Sequence, residues 1–204
     1  MKIKYLGHSC FQLFSENQSI VIDPYSDGSV PGLAPLRVKT NAVYCSHQHA
    51  DHNGVDCVEF DGEDSDFERT QIASWHDDQQ GALRGPNTIQ IFECDRQRVA
   101  HLGDLGCALD DEQRAQLADL DVLLIPVGGY YTISGAQAAQ IVSDLKPKSV
   151  IPMHYKGTDF GYDVLSTEEE FLAPFASAQK LESDEIDVAD AKGVIVLSFN
   201  HQSE

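Results

Sequence analysis

Between residues 47 and 52 the chain reads His47-Gln48-His49-Ala50-Asp51-His52, which puts four potential metal ligands within six residues. They follow directly on an apolar run, Ala42-Val43-Tyr44-Cys45. Imidazole and carboxylate donors together suit zinc, iron or manganese. A strand that stops and opens into such a loop points several donors at one place. The competing reading is a solvated, histidine-rich turn. Against it, matching donors recur downstream.

Each recurrence sits where an apolar segment ends. His76 follows Ile72-Ala73-Ser74-Trp75, and Asp104 follows Val99-Ala100-His101-Leu102-Gly103. His154 follows Val150-Ile151-Pro152-Met153, and Asp23 follows Ile20-Val21-Ile22. Strand ends converge along one edge of a sheet, so polar side chains there can meet in one cleft. A buried Asp or His without a partner is costly, so the repeated placement says more than any single residue.

Residues 2–6, 10–14 and 19–22 read as strands, with a hairpin turn at Glu16-Asn17-Gln18 and a stop at Asp23-Pro24. Residues 25–40, with Gly28, Pro31, Gly32 and Pro35, read as a loop. Strands are expected at 42–46, 69–75, 88–93, 97–102, 121–127, 149–153 and 193–199, with a polar turn at 61–66. Asp77 to Pro86 reads as a polar, Gly-containing loop. Helices are expected over 109–120, over 135–145 behind a Ser134 cap, and from Ser166 to about Ala173. Strands come first, then strands alternating with helices. That order suggests two sheets face to face with helices on the outer faces, an α/β class fold in a single domain spanning 1–204.

The formal net charge of −19 argues against a general nucleic-acid binder and against anionic membranes. It would also suit a high-salt interior, where screening weakens self-repulsion. The N-terminus runs straight into a strand-like pattern without an apolar leader, so the cytoplasm is the expected compartment. Five scattered cysteines with no C-x-x-C fit a reducing environment. Cys45 and Cys107 fall near the candidate donors, which leaves a ligand or redox role open for them.

The ordered set Ile22-Asp23-Pro24, His47–His52, His76, Gly103-Asp104 and His154 resembles the metallo-β-lactamase superfamily. Leu6-Gly7-His8-Ser9-Cys10-Phe11, Trp75-His76-Asp77, His101–Gly106 and Pro152-Met153-His154-Tyr155 look most like its small lactonase-like or uncharacterised hydrolase branch. The resemblance implies a four-layer αββα sandwich with two divalent metal ions per chain, zinc first, manganese or iron as alternatives. His47, His49 and His76 would bind one ion, and Asp51, His52 and His154 the other. Asp104 would bridge them, and Asp23 would orient a ligand histidine. Asp51 and Asp104 would be the catalytic carboxylates, acting with an activated water.

His101 lies three positions before Asp104 on one strand, so its side chain should point to the opposite face. It is read as a core or supporting residue. His8, at a Gly-marked strand break, could line the cleft, and His201 in the C-terminal tail is read as solvated. Arg84 and Lys156 are candidates for pairing with a substrate carboxylate or phosphate, and Tyr130, Tyr131 and Tyr155 for lining the pocket. The expected activity is hydrolysis of a small ester, lactone or amide. The alternatives are a phosphodiesterase or nuclease on the same donors, iron redox chemistry, and a metal-binding module without turnover. The expected partner is a small-molecule substrate, with homo-oligomerisation left open.

Overall fold

The structure, a computed structural model, describes residues 1–16, 18–61 and 65–199. Two sheets are built from apolar side chains that alternate in direction. In the first, β1 (Lys2–Gly7), β2 (Cys10–Ser15) and β3 (Gln18–Ile22) are antiparallel neighbours. β4 (Val38–Thr40) lies outside this sheet, and β5 (Ala42–Tyr44) returns to it parallel to β3. β4 pairs with β6 (Val58–Phe60) in a separate ribbon. The second sheet opens with β7 (Glu68–Trp75), β8 (Pro86–Cys94) and β9 (Gln97–His101), each antiparallel to the next. After α1 (Asp111–Gln116), β10 (Val122–Pro126) adds parallel to β9. α2 (Gly135–Leu145) then leads to β11 (Ser149–Met153), parallel to β10. α3 (Glu169–Leu172), β12 (Gln179–Lys180), β13 (Glu185–Asp187) and β14 (Gly193–Val196) complete the chain. The sheet orders are β13-β1-β2-β3-β5 and β12-β14-β11-β10-β9-β8-β7.

The two-residue period of a strand divides the core. Val122, Leu124, Ile151, Met153 and Ile195 meet Ile3, Phe11, Leu13, Ile20 and Ile22 between the sheets. Each such side chain, fully buried, contributes about 1.5–3 kcal/mol relative to exposure. Leu123, Ile125, Val150, Val194 and Val196 face the other way and pack with Leu117, Ile141, Val142 and Phe171. The helices that cover them are locally specified. Asp110 with Gln113, and Ser134 with Gln137, form reciprocal capping boxes at the starts of α1 and α2. Lys146 turns left-handed just before Pro147 to end α2.

The αββα sandwich is the frame, but its outer layers are unequal. The outer face of the first sheet carries Leu6, Cys10 and Val21, covered by Tyr25, Val30, Leu33, Leu36 and Val58. There the expected helical layer is reduced to one 3₁₀ turn, Val55–Cys57.

Several boundaries differ from expectation. The segment 25–40 ends in a strand, because Val38–Thr40 finds β6 as a partner that lies far along the chain. The strand expected at 42–46 stops at Tyr44, and the last strand stops at Val196. The first helix covers only Asp111–Gln116, and the third begins at Glu169 rather than Ser166. Asn17, residues 62–64 and His201 lie outside the described residues, so the hairpin tip, the middle of the 61–66 turn and the tail histidine go without structural comment. No helix among the described residues is long and apolar enough to cross a membrane.

Candidate metal centre

The expected ligands all follow the C-terminal ends of strands on one rim of the sandwich. His8 comes after β1, Asp23 after β3 and the His47–His52 run after β5. His76 comes after β7, Asp104 after β9 and His154 after β11. The backbone turns sharply at several of these points. His8, Asp23 and His154 hold left-handed φ values of 56°, 49° and 52°. Such conformations cost on the order of 1–3 kcal/mol each and persist where surrounding contacts enforce them. Here the His8 carbonyl accepts from both the His154 backbone N–H (2.9 Å) and the Tyr5 hydroxyl (3.2 Å). Gly103 is left-handed too, and a Cβ there would lie 2.3 Å from the Asn87 side-chain oxygen and 2.5 Å from Ser46 Cβ. Only glycine lets the end of β9 come this close.

Three overlapping groups of donor atoms converge within 4.8 Å: His47/His49/His76, His47/His52/Asp104 and His8/Asp51/His52/His154. Asp104 sits in their midst. Its carboxylate is 3.2 Å from His52 Nε2, 3.2 Å from His154 Nε2, 3.3 Å from His76 Nε2 and 3.8 Å from His47 Nε2. The Asp104 backbone N–H donates to the Asn87 side-chain oxygen at 3.0 Å, and Asn87 in turn donates to Ser74 and to the Leu102 carbonyl. His76, which follows β7, lies with the others.

Hydrogen bonds fix which nitrogen His47 and His52 offer. Asp23 is wholly buried and accepts from the Ser46 backbone N–H (2.6 Å), the Ser46 hydroxyl (2.6 Å) and His52 Nδ1 (2.8 Å). Because the Ser46 hydroxyl donates to Asp23, His47 Nδ1–H is the donor across the 2.9 Å contact with Ser46 Oγ. Both histidines thereby present Nε2, not Nδ1, to the cluster. His47 Nε2, His52 Nε2, both His154 ring nitrogens, His76 Nδ1 and Asp104 Oδ1 are buried without a hydrogen-bond partner. Unsatisfied buried polar atoms normally cost about 1–3 kcal/mol each. Several of them aimed at one spot, with nitrogen and carboxylate chemistry, fit a metal site.

The electrostatics point the same way. Burial, reinforced by His52, pushes His47 down to about 3. Burial and the neighbouring His154 push His8 down to about 4, against the pull of Asp51. Burial opposes ionisation of Asp104, yet His154 and His52 hold it well below the usual carboxylate range. Burial likewise opposes charge on His52, but Asp104 and Asp23 outweigh it and raise the imidazole well above its ordinary value. That extra proton occupies the place a cation would take, so metal binding at His52 must displace it.

His8 does more than line the cleft: its Nε2 lies 3.2 Å from Asp51 Oδ2, and its ring is 4.2 Å from that of His154. His101 belongs to none of the donor groups; β9 ends at this residue, so Asp104 lies beyond the strand and the two-residue period does not relate them. The His101 Nε2 contacts the Ser9 carbonyl at 2.9 Å, and its Nδ1 accepts from Gly103 N–H at 3.1 Å.

The expected pocket residues divide. A cavity of about 260 Å³ is lined by His49, Asp51, His76, Arg84, Asp104, Tyr131 and Tyr162. Arg84 is therefore at the centre, but Tyr155 and Lys156 are not. Tyr155 is buried in the helix-side core, and Lys156 is paired with Asp163 at 2.6 Å beside other cavities. The physical reason is the left-handed turn at His154, which sends the two following residues away from the rim. Tyr130 is exposed with its ring against Tyr131. Tyr162, Asn87 and Ser46 were missed: none stands beside a recognisable donor pattern except Ser46, which immediately precedes His47. Cys45 and Cys107 belong to none of the donor groups, and burial raises both thiols, Cys45 to about 12.

The family model for the beta-lactamase superfamily domain matches residues 2–154. A UPF0173 metal-dependent hydrolase of Archaeoglobus fulgidus is 31% identical over 193 residues, covering 76% of this chain and 83% of its own length. A metal-dependent hydrolase of the same name from Desulforamulus reducens is 30% identical, covering 76% of this chain and 84% of itself. Among solved structures, one from Thermotoga maritima, described as a Zn-dependent hydrolase of the metallo-β-lactamase superfamily, aligns with a TM-score of 0.77 at 30% identity. It covers 98% of this chain and 99% of that one.

Proposed function

This chain belongs to the metallo-β-lactamase superfamily and is a metal-dependent hydrolase, and we propose that it uses a pair of divalent ions, zinc first, to hydrolyse a small ester, lactone or amide. The observation that carries the reading is the convergence of His47, His49, His52, His76, His154, Asp51 and Asp104, with buried ring nitrogens and a carboxylate oxygen left unpartnered. A donor set this rich in imidazole favours zinc over magnesium or calcium. His47, His49 and His76 would hold one ion, Asp51, His52 and His154 the other, with Asp104 between them. When bound, such ions supply Lewis acidity and a water that loses its proton near neutral pH.

The protein's own groups do the rest. Asp51 is ionised, because the hydrogen bond from His8 and the charge of His52 outweigh its burial. It can take a proton from the attacking water and return it toward the leaving group. His8 holds that carboxylate in place, and Asp23 keeps the ring nitrogens of His52 and His47 turned inward. The cavity of about 260 Å³ accommodates a small molecule rather than a polymer.

Elemental analysis of the native protein should find two equivalents of metal per chain. The loaded protein should hydrolyse 4-nitrophenyl acetate or γ-butyrolactone faster than bis(4-nitrophenyl) phosphate. Asp104→Ala should lose metal and activity together. Retention of two equivalents by that variant, or a preference for the phosphodiester, would overturn the proposal.

A further inference from the structure

Among the described residues, Arg84 is the one lysine or arginine lining either cavity that flanks His49. One is the cavity of about 260 Å³ described above, and the other, of about 400 Å³, is lined by Cys45, Ser46, His47, Gln48, His49, Pro86 and Thr88 with Arg84. The chain has 33 acidic and 14 basic residues, and among the described residues eight of the basic ones sit against a carboxylate. Lys2, Lys4, Arg37, Lys39, Arg98, Lys148, Lys156 and Lys180 all have one. Among the described residues Arg84 has none, like Arg69, Arg96 and Arg114, but it alone of these four lines the two cavities. Its recorded contact is with the Tyr131 ring, 5.6 Å from the guanidinium carbon.

The loop that carries it is locked. Asp77, 2% exposed, accepts four backbone N–H bonds. Its Oδ1 takes those of Gln79 (2.8 Å) and Gly81 (2.9 Å), and its Oδ2 those of Leu83 (3.0 Å) and Arg84 (2.8 Å). The loop closes on itself through Gly85 N–H to Gly81 O and His76 N–H to Gly85 O. One carboxylate thus ties the backbone of Arg84 to the residue next to His76. Burying a charged group costs free energy, and here it fixes the backbone from which the Arg84 side chain extends. Charge-assisted, bidentate pairing with a carboxylate or phosphate is what a guanidinium without a carboxylate partner is suited to.

We infer that Arg84 is the anion-recognition residue of this cleft, so that the substrate carries a carboxylate or phosphate-type group beside the bond that is cleaved. Asp77 is the positioning residue that keeps the guanidinium there. The inference rests on the hydrolase reading above and narrows its substrate class. The overall negative charge does not oppose it. Exposed carboxylates beyond a Debye length, about 8 Å at physiological salt, are largely screened, whereas a contact guanidinium is not.

The test uses the zinc-loaded full chain. Calorimetric titration compares succinate with acetate, and steady-state kinetics compares mono(4-nitrophenyl) succinate with 4-nitrophenyl acetate. Arg84→Ala should lower the succinate-to-acetate affinity ratio about 10- to 100-fold. The corresponding ester ratio should fall by a similar factor, through KM rather than kcat. Arg84→Lys should recover part of the loss. Asp77→Asn leaves the guanidinium present but frees the loop, and should lower the same ratios. Replacing succinate by 3-phosphonopropionate separates the two anion sources: tighter binding of the phosphonate assigns a phosphate-bearing substrate, tighter binding of succinate a carboxylate. Ratios equal to wild type in both Arg84→Ala and Asp77→Asn overturn the inference. If neither ester is hydrolysed while succinate still binds through Arg84, the hydrolase reading falls and the anion subsite stands.

Discussion

Asp23 and His52, twenty-nine residues apart in sequence, share a 2.8 Å hydrogen bond in which the imidazole Nδ1–H donates to a fully buried carboxylate. The bond decides which nitrogen of His52 faces the donor cluster. Through Ser46 the same carboxylate decides it for His47.

Asp23→Asn keeps the size but offers an amide where Ser46 and His52 both need an acceptor. Partners of this kind typically account for about 10–100-fold in metal affinity. Chelator competition on the purified variant should show a loss in that range with the fold retained by circular dichroism. Unchanged affinity would mean that the rings are held by packing alone.

His8 bonds Asp51 and packs its ring against that of His154, 4.2 Å away, but makes no ring contact or hydrogen bond with His47, His49 or His76. His8→Ala should therefore weaken one metal and spare the other. Release to a chelator should become biphasic, one phase loosened about 10–100-fold and the other as in wild type. Uniform weakening of both would argue against a separate role for His8.

His101→Ala removes a wholly buried ring that bonds the Ser9 carbonyl and the Gly103 N–H. A cavity plus two abandoned partners should cost about 2–4 kcal/mol in urea unfolding. Metal content should be kept. Loss of one equivalent would turn His101 into a ligand.

Asp77 supplies the pH dependence. Burial works against its ionisation, but the N–H groups of Arg84, Gln79, Leu83 and Gly81 outweigh it, so its folded pKa is depressed. A depressed carboxylate adds stability that is present above the unfolded value, about 3.9, and is lost as pH falls through the lower folded one. Trp75, the chain's only tryptophan, packs against Gly81 of this loop, where an added Cβ would lie 2.6 Å from the indole. Its emission should stay constant from pH 8 down to about 4 and change below that. Asp77→Asn should show the acid-form emission at pH 7. A transition centred near pH 6 would contradict the assignment.

Much of this was legible in the sequence because donors and apolar runs are local signals. His76, Asp104 and His154 each close a hydrophobic segment, so their convergence followed from the way strand ends line up. The period of two could not place His101 relative to Asp104, because the strand ends at His101. Pairings between distant segments were not legible. Nothing in Val38–Thr40 names Val58–Phe60 as its partner, and the short strands Gln179–Lys180 and Glu185–Asp187 carry too few residues for a pattern. Lys156 and Tyr155 were misplaced because a left-handed φ at a histidine leaves no mark in the sequence. Arg84 was visible as a cation near His76, but its tether was not, since Asp77 grips backbone rather than side chains.

That last point has an evolutionary reading. Asp78, Gln79, Gln80, Ala82 and Leu83 are exposed, and the carboxylate beneath them reads only their peptide groups. Their side chains can vary while the arginine's backbone stays put, within limits set by the left-handed Gln80 and Gly81 and by the N–H groups that Gln79 and Leu83 must keep. A lineage can thus re-dress the mouth of this cleft for new compounds without re-engineering the scaffold that holds the reactive centre.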